Sequence, residues 1–180
     1  AARIRSETLQ DREGASAIYQ DLLQIDPQNH DGLRFCSEYL FTTGRFQDAV
    51  NLMERMELLE SERDLEDFDA QIEVSLYYFR YAEALRQLGQ PSLAIQRYER
   101  TLELNPTHLP SLESVGPMYM ELGDWAKAER VWRNLLQLTG GHGNNNQLAR
   151  VYTNLGIVES RLGQLDKARK RFTKALELKP

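Results

Sequence analysis

A unit of 34 residues recurs along this chain, and that period limits the possible fold more than any other feature. Its clearest copy runs from Ser75 to His108, SLYYFRYAEALRQLGQPSLAIQRYERTLELNPTH. Tyr78, Tyr81 and Leu85 are spaced i, i+3, i+7, the mark of one buried helix face. Leu88-Gly89 ends that helix, because glycine enters the left-handed C-terminal conformation without a Cβ penalty. Pro91 suits the first turn of a second helix, where its missing N–H has no intrahelical partner to lose. Ala94, Tyr98 and Leu102 mark the second buried face. Asn105-Pro106 closes the unit, since proline pushes the residue before it out of helical geometry.

The same template fits elsewhere. The turn glycine recurs as Gly44, Gly89, Gly123 and Gly163, with insertions lengthening the first and last gaps. The small residue after the turn recurs as Ala15, Ala49, Ala94, Ala128 and Ala168. Four residues further on stands an aromatic or methionine: Tyr19, Met53, Tyr98, Trp132 and Phe172. The closing proline recurs as Pro27, Pro106 and Pro180, with Ser61 and Gly140 in its place where the insertions begin. A small residue in the first helix recurs as Ser37, Ala82, Gly116 and Gly156.

This pattern resembles the tetratricopeptide repeat family over nearly the whole chain. The resemblance implies an all-α fold, a right-handed α-solenoid of antiparallel helix pairs with a concave groove. The expected organisation is one solenoid domain of about four repeats plus an N-terminal partial repeat. Residues 1–29 are the partial repeat or cap, with one helix from about Glu7 to Ile25. Residues 30–63 form a repeat, and 64–74 an acidic insertion extending the next helix. Repeats follow at 75–108, at 109–142 with a Gly/Asn-rich loop running to 148, and at 149–180.

Composition narrows the function classes. A charged fraction of 27% beside 41% hydrophobic residues is that of a folded chain rather than a disordered one. A net charge of −5 disfavours a nucleic-acid binder, which needs a basic surface to displace phosphate counterions; it also disfavours the RNA-binding pentatricopeptide layout. No apolar run approaches the ~20 residues that span a bilayer, and the reading is of a cytoplasmic protein. The lone cysteine, Cys36, excludes an internal disulfide and reads as a small core residue.

Several positions carry more specific expectations. Trp125 and Trp132 fall on core positions. Pro117 lies inside a first helix and is expected to bend it by blocking the bond to the Glu113 carbonyl. Gly116 and Gly156 are expected where neighbouring pairs touch, and Ala94 and Ala128 where the two helices of one hairpin approach. Glu159 takes a slot that other copies fill with Leu40, Leu85 and Tyr119. An unpaired carboxylate there is costly, so either the face is open or an arginine such as Arg161 answers it.

Leu65, Phe68 and Ile72 keep helical spacing through the insertion, where Glu54 to Glu73 hold nine acids and two bases. Gly140 to Gln147 read as a loop, and His142 has no companion at metal-ligand spacing. The last helix carries Leu165, Phe172, Ala175 and Leu176 with nothing after it, which suggests a continuing array or a self-associating edge.

No catalytic, metal or nucleotide motif is present in the sequence. The expected function is therefore a non-enzymatic scaffold or adaptor, without cofactors, that binds a protein or peptide. The alternatives are a regulatory or targeting module of a larger enzyme or assembly, and a homo-oligomer formed through the terminal repeat. By the resemblance, the inner wall is lined by Arg34, Glu38, Phe41, Leu76, Phe79, Glu83 and Arg86, then by Glu113, Pro117, Met120, Arg150, Thr153, Ile157 and Arg161. Phe41, Phe79 and Met120 would make an apolar trough, and Arg34, Arg86, Arg150 and Arg161 would bind carboxylates. Chaperone-binding members clamp a terminal carboxylate at slots that here read Arg34, Glu38 and Arg80. Glu38 would repel such a group, so that ligand is not expected.

Overall fold

A computed structural model describes residues 11–61, 67–140 and 143–179. The described residues form nine helices and divide into two compact units, residues 1–104 and 105–180.

The first unit holds α1 (Arg12–Ile25), α2 (His30–Thr42), α3 (Phe46–Ser61), α4 (Phe68–Gln87) and α5 (Pro91–Leu104). Successive helices pack on one another, and the three-residue turns α2–α3 and α4–α5 force those pairs antiparallel. The second unit repeats the plan with α6 (Leu109–Leu122), α7 (Trp125–Thr139), α8 (Asn145–Arg161) and α9 (Leu165–Leu178). This stacking of helical hairpins is the all-α solenoid plan that the family resemblance implied.

Local chemistry sets the helix ends. The four turn glycines all sit at positive φ, from 69° to 77°, where any side chain is strained. At the first of them, Arg45 N–H reaches back to the Leu40 carbonyl at 2.9 Å and Gly44 N–H to Phe41 at 3.1 Å, satisfying the last carbonyls of α2. Helices α1 and α5 stop one residue before Asp26-Pro27 and Asn105-Pro106, and Pro91 opens α5. Side chains cap several helix starts: Asp11 Oδ1 accepts from Gly14 N–H at 2.8 Å, and Asp67 Oδ2 from Ala70 N–H at 3.0 Å.

Each unit is held by apolar residues at the repeated positions. Ala15, Ala49, Ala94, Ala128 and Ala168 are all buried, as are Met53, Tyr98 and Trp132. Cys36 is fully buried, its thiol directed at the Ser16 carbonyl at 3.8 Å, and burial raises its pKa.

The structure departs from the sequence expectations at several points. Gly116 and Gly156 do not separate neighbouring pairs. A Cβ on Gly116 would lie 2.9 Å from Trp132 Cε2, and one on Gly156 would lie 2.8 Å from Phe172 Cε1, so both glycines admit the ring of their own hairpin partner. Trp125 is only half-buried, with the Arg161 guanidinium 5.6 Å from its ring centre, because it opens α7 and has no preceding turn to cover it. Phe68 is exposed, since the Asp67 cap makes it the first residue of α4. Leu65 and His142 lie outside the described residues, as does the expected helical stretch from Glu7 to Gln10. Asn145–Gln147, expected in a loop, form the first turn of α8, because the Asn144 side chain caps it on Gln147 N–H at 2.8 Å. Helix α6 runs through Pro117, whose side chain is exposed.

Glu159 is fully buried and is answered by arginines, though not by Arg161. Arg133 of α7 approaches at 3.5 Å and Arg171 of α9 at 3.4 Å, so one carboxylate ties three helices together.

Candidate functional site

In the first unit the expected wall residues come from α2 and α4. Successive turns of a helix put Arg34, Glu38 and Phe41 on one face of α2, and Leu76, Phe79, Glu83 and Arg86 on one face of α4. Between these faces lies a cavity of about 120 Å³. Its rim is charged: Arg34 pairs with Glu73 and with Asp31 at 3.7 Å, and Arg80 pairs with Glu38 at 3.5 Å. Its floor is apolar and comes from Met53 and Met56 of α3, with exposed Leu76 at the mouth. Tyr77 closes one side and donates its hydroxyl to the Met53 carbonyl at 2.6 Å. Burial first, then the Glu57 charge, raises that tyrosine's pKa, so the ring stays neutral.

The remaining first-unit residues stand further along α2 and α4. Phe41 is half-buried, edge-on to Phe46 with ring centres 5.8 Å apart. Phe79 lies 6.3 Å from the Tyr98 ring. Glu83 accepts from the Tyr98 hydroxyl and from Arg86 at 2.7 Å. That hydrogen bond raises the Arg86 pKa. Arg34 and Arg86 are thus already paired, and an incoming carboxylate has to displace an acid of the protein itself.

In the second unit, Glu113 of α6 receives Arg150 of α8 at 2.6 Å and Gln147 at 3.1 Å. Pro117, Thr153 and Ile157 are exposed along the same two helices. Met120 is turned toward its hairpin partner, its sulfur accepting the Trp132 ring N–H at 3.2 Å. Arg161 lies against Trp125 rather than standing free.

Sequence reasoning named Arg34, Glu38 and Leu76 of the cavity and missed Glu73, Tyr77, Met53 and Met56. Glu73 had a signal: it lies one turn before Leu76, on the stretch that the insertion adds to the front of α4. Gln147 was missed because it was assigned to a loop. Among the described residues, no three histidine, cysteine or acidic side chains group as a metal cage, and no helix is long and apolar enough to cross a membrane.

Comparison with known proteins agrees with this architecture. Family models described as tetratricopeptide repeat match residues 76–108 and 110–180, together more than half of the chain. The chain belongs to the tetratricopeptide repeat family. Among curated proteins, it is 31% identical over 80 residues to the uncharacterized protein ycf37 of Pyropia yezoensis, a match over 44% of this chain and 45% of that one. It is 28% identical over 92 residues to the CTR9 homolog of Arabidopsis thaliana, over 51% of this chain and 8% of that one. The chain therefore spans less than half of either relative.

Among solved structures, MamA superposes with a TM-score of 0.66 at 24% identity, covering 97% of this chain and 92% of that one. YrrB, described as a TPR protein with an unusual peptide-binding site, gives 0.72 at 20%, covering 99% and 83%. A chain of the Naa15/Naa10 complex bound to HypK-THB gives 0.64 at 18%, covering 97% and 24%. At these identities the likeness is one of fold.

Proposed function

We propose that this chain is a protein-interaction scaffold without catalytic activity of its own, and that it binds a peptide or helix of a partner across the inner faces of α2 and α4. The observation that carries this reading is the cavity between those helices, which joins a floor of Met53 and Met56 to a rim of two arginine–carboxylate pairs. An apolar side chain fits the floor, and polar groups beside it exchange with the rim pairs. The rim holds equal numbers of arginines and glutamates, which suits a ligand segment of mixed charge rather than a terminal carboxylate. In the second unit, Glu113 with Arg150 and Pro117 with Ile157 are a further candidate face by family position. YrrB, described as a TPR protein with an unusual peptide-binding site, and the Naa15/Naa10 complex, described as bound to HypK-THB, support this reading. A cytoplasmic setting and the absence of a nucleic-acid partner belong to the same proposal, on the strength of the acidic balance of −5.

The test is affinity capture followed by mass spectrometry with the native chain and with Leu76→Asp/Arg80→Ala. Both positions are at the cavity mouth and not in the core, so helicity and melting temperature should hold. Phe79 and Arg86 are poorer choices, because they pack on Tyr98 and Glu83. The proposal expects the variant to lose the partners that the native chain recovers. Recovery of the same partners at the same yield would contradict it.

A further inference from the structure

A second cavity, of about 300 Å³, lies between α1 and α3 and shares no residue with the one between α2 and α4. Both helices join α2 through short turns and run antiparallel to it, so they run parallel to each other with Leu40 of α2 between them. The floor is Leu40 with Leu23 of α1 and Leu52 of α3, the first two of them buried.

In the same register, the spaces between α3 and α5 and between α7 and α9 are bridged by ion pairs. The place of Leu52 is taken by Arg97 on α5 and by Arg171 on α9. Arg97 reaches Glu57, which stands where α1 has Leu23, at 2.9 Å. Arg171 reaches Glu159, which stands where α2 has Leu40, at 3.4 Å. Three leucines form no such bridge, and the furrow between α1 and α3 stays open.

Its rim is made of uncharged amides with hydrogen-bonding capacity left over. Asn51 accepts from Gln47 at 3.1 Å through its oxygen, which leaves its NH2 to donate. Across the furrow, Gln20 gives its NH2 to Ser16 at 3.5 Å, which leaves its oxygen to accept. Gln24, one turn along from Gln20, is exposed, and its side chain makes no hydrogen bond among the described residues. A donor and an acceptor on facing banks suit a main chain, each unit of which carries one N–H and one C=O. Gln20 and Gln24 are separated by about 6 Å of helix rise, and an extended chain repeats the groups on one side every ~6.6 Å. A helical ligand has its main-chain groups already paired and offers these amides nothing.

Charge adds a selection. At one end of the furrow Arg45 is tied to Asp48 at 2.6 Å. At the other, Arg55 holds the Pro27 carbonyl through one nitrogen. Asn134 does the same for Pro106 at 3.1 Å in the matching register of α7, so an amide is enough for that task. The Arg55 guanidinium brings a positive charge and further N–H donors, and a carboxylate would use both.

We propose that the α1–α3 furrow binds an extended, acidic segment of a second partner protein, with an apolar side chain on the leucine floor, main-chain groups on the amide rim and a carboxylate on Arg55. The site does not rest on the reading of the α2–α4 cavity and operates with that cavity empty.

Random dodecapeptides displayed on phage test this. They are selected on the whole chain carrying Leu76→Asp/Arg80→Ala, which disables the other cavity, and enriched peptides are measured on that parent as fluorescein conjugates by anisotropy. The expected peptides carry an aspartate or glutamate near one apolar residue, and serine in place of that apolar residue should abolish binding. Gln24→Ala/Asn51→Ala, both at exposed positions, should weaken binding roughly tenfold with the melting temperature unchanged. Replacing the peptide's acid by its amide should weaken binding about three- to fivefold on the parent. Arg55→Asn, which keeps an amide on Pro27, should erase that difference. A selection in which no enriched peptide is sensitive to Gln24→Ala/Asn51→Ala overturns the proposal, and so does one in which the sensitive peptides lack the acid or keep its advantage on Arg55→Asn. Self-association in sedimentation velocity that Gln24→Ala/Asn51→Ala abolishes would assign the furrow to a second copy of the chain and overturn the proposed occupant.

Discussion

Gly116 and Gly156 pose the same steric problem in two settings, and alanine at each position should give different answers. A Cβ at Gly116 would meet Trp132 Cε2 at 2.9 Å and Cζ2 at 3.0 Å. One at Gly156 would meet Phe172 Cε1 at 2.8 Å, with Cδ1 and Cζ at 3.0 Å. Ordinary carbon contacts begin near ~3.5 Å, so each ring must retreat by about half an ångström. Alanine also contributes an intrinsic helix preference of about 1 kcal/mol over glycine, so the retreat alone decides the sign.

Trp132 cannot retreat freely. Its ring is enclosed, and its N–H is held on the Met120 sulfur. Overpacking of that kind costs about 1–3 kcal/mol, which leaves Gly116→Ala net destabilised by up to about 2 kcal/mol once the helix preference is subtracted. Phe172 borders solvent and has room to swing outward, so Gly156→Ala should end within about 0.5 kcal/mol of the parent. Urea unfolding followed by far-ultraviolet circular dichroism measures both, with equal m-values as the check that only stability changed. Should Gly156→Ala lose as much as Gly116→Ala, the reasoning from ring mobility is wrong. Should both gain stability, the rings do not sit where the structure puts them.

Three further outcomes follow from the packing. Glu159→Ala removes a buried carboxylate from between two arginines that stay partly hydrated, and should cost about 1–3 kcal/mol; Glu159→Leu restores the residue used by the equivalent Leu40 and Leu85 and should stay within about 1 kcal/mol of the parent. Urea midpoints equal for the two variants would deny the ion cluster any structural role. His108 caps α6 by accepting from Ser111 N–H at 3.3 Å, and burial lowers its pKa below the ordinary 6.5. Its unfolded form therefore binds the proton more readily. The stabilisation is complete above about pH 6.5 and is lost as pH falls through the lower folded value. His108→Asn, which keeps an acceptor but does not titrate there, should flatten the fall in melting temperature between pH 7 and pH 5; identical slopes would count against the cap. Ala128→Leu puts three carbons into a fully buried contact and should cost roughly 1–3 kcal/mol by urea melt, where no loss would break the repeat register.

How much of this was written in the residues depends on the kind of force involved. Turn glycines and closing prolines act through the backbone of their own segment, so Gly44, Gly89, Pro27 and Pro106 could be placed without knowing what surrounds them. The buried alanines were equally legible, because a position that recurs at a fixed offset and stays small points to close approach. What that approach is made against was not legible: Gly116 and Gly156 had the right size and were given the wrong neighbours.

Pairing is harder still. The family resemblance named Arg34, Arg86 and Arg150, with Glu83 and Glu113 among their neighbours, but not which acid holds which arginine, and it left out Glu73. Arg34 and Arg150 are answered from another helix dozens of residues away, whereas Arg86 meets Glu83 within its own helix. Glu159 shows both sides of this. The cost of burying it predicted an arginine, while the choice of Arg133 and Arg171 over Arg161 required the stacking of three helices.

Hydrogen–deuterium exchange on the complex with a captured partner tests the central claim most directly. The account predicts new protection on α2 and α4 at the turns bearing Arg34, Glu38, Leu76 and Arg80, with none on the outward turns of α3 and α5. Protection confined to those outward turns, with the α2–α4 face exchanging as in the free chain, would contradict it.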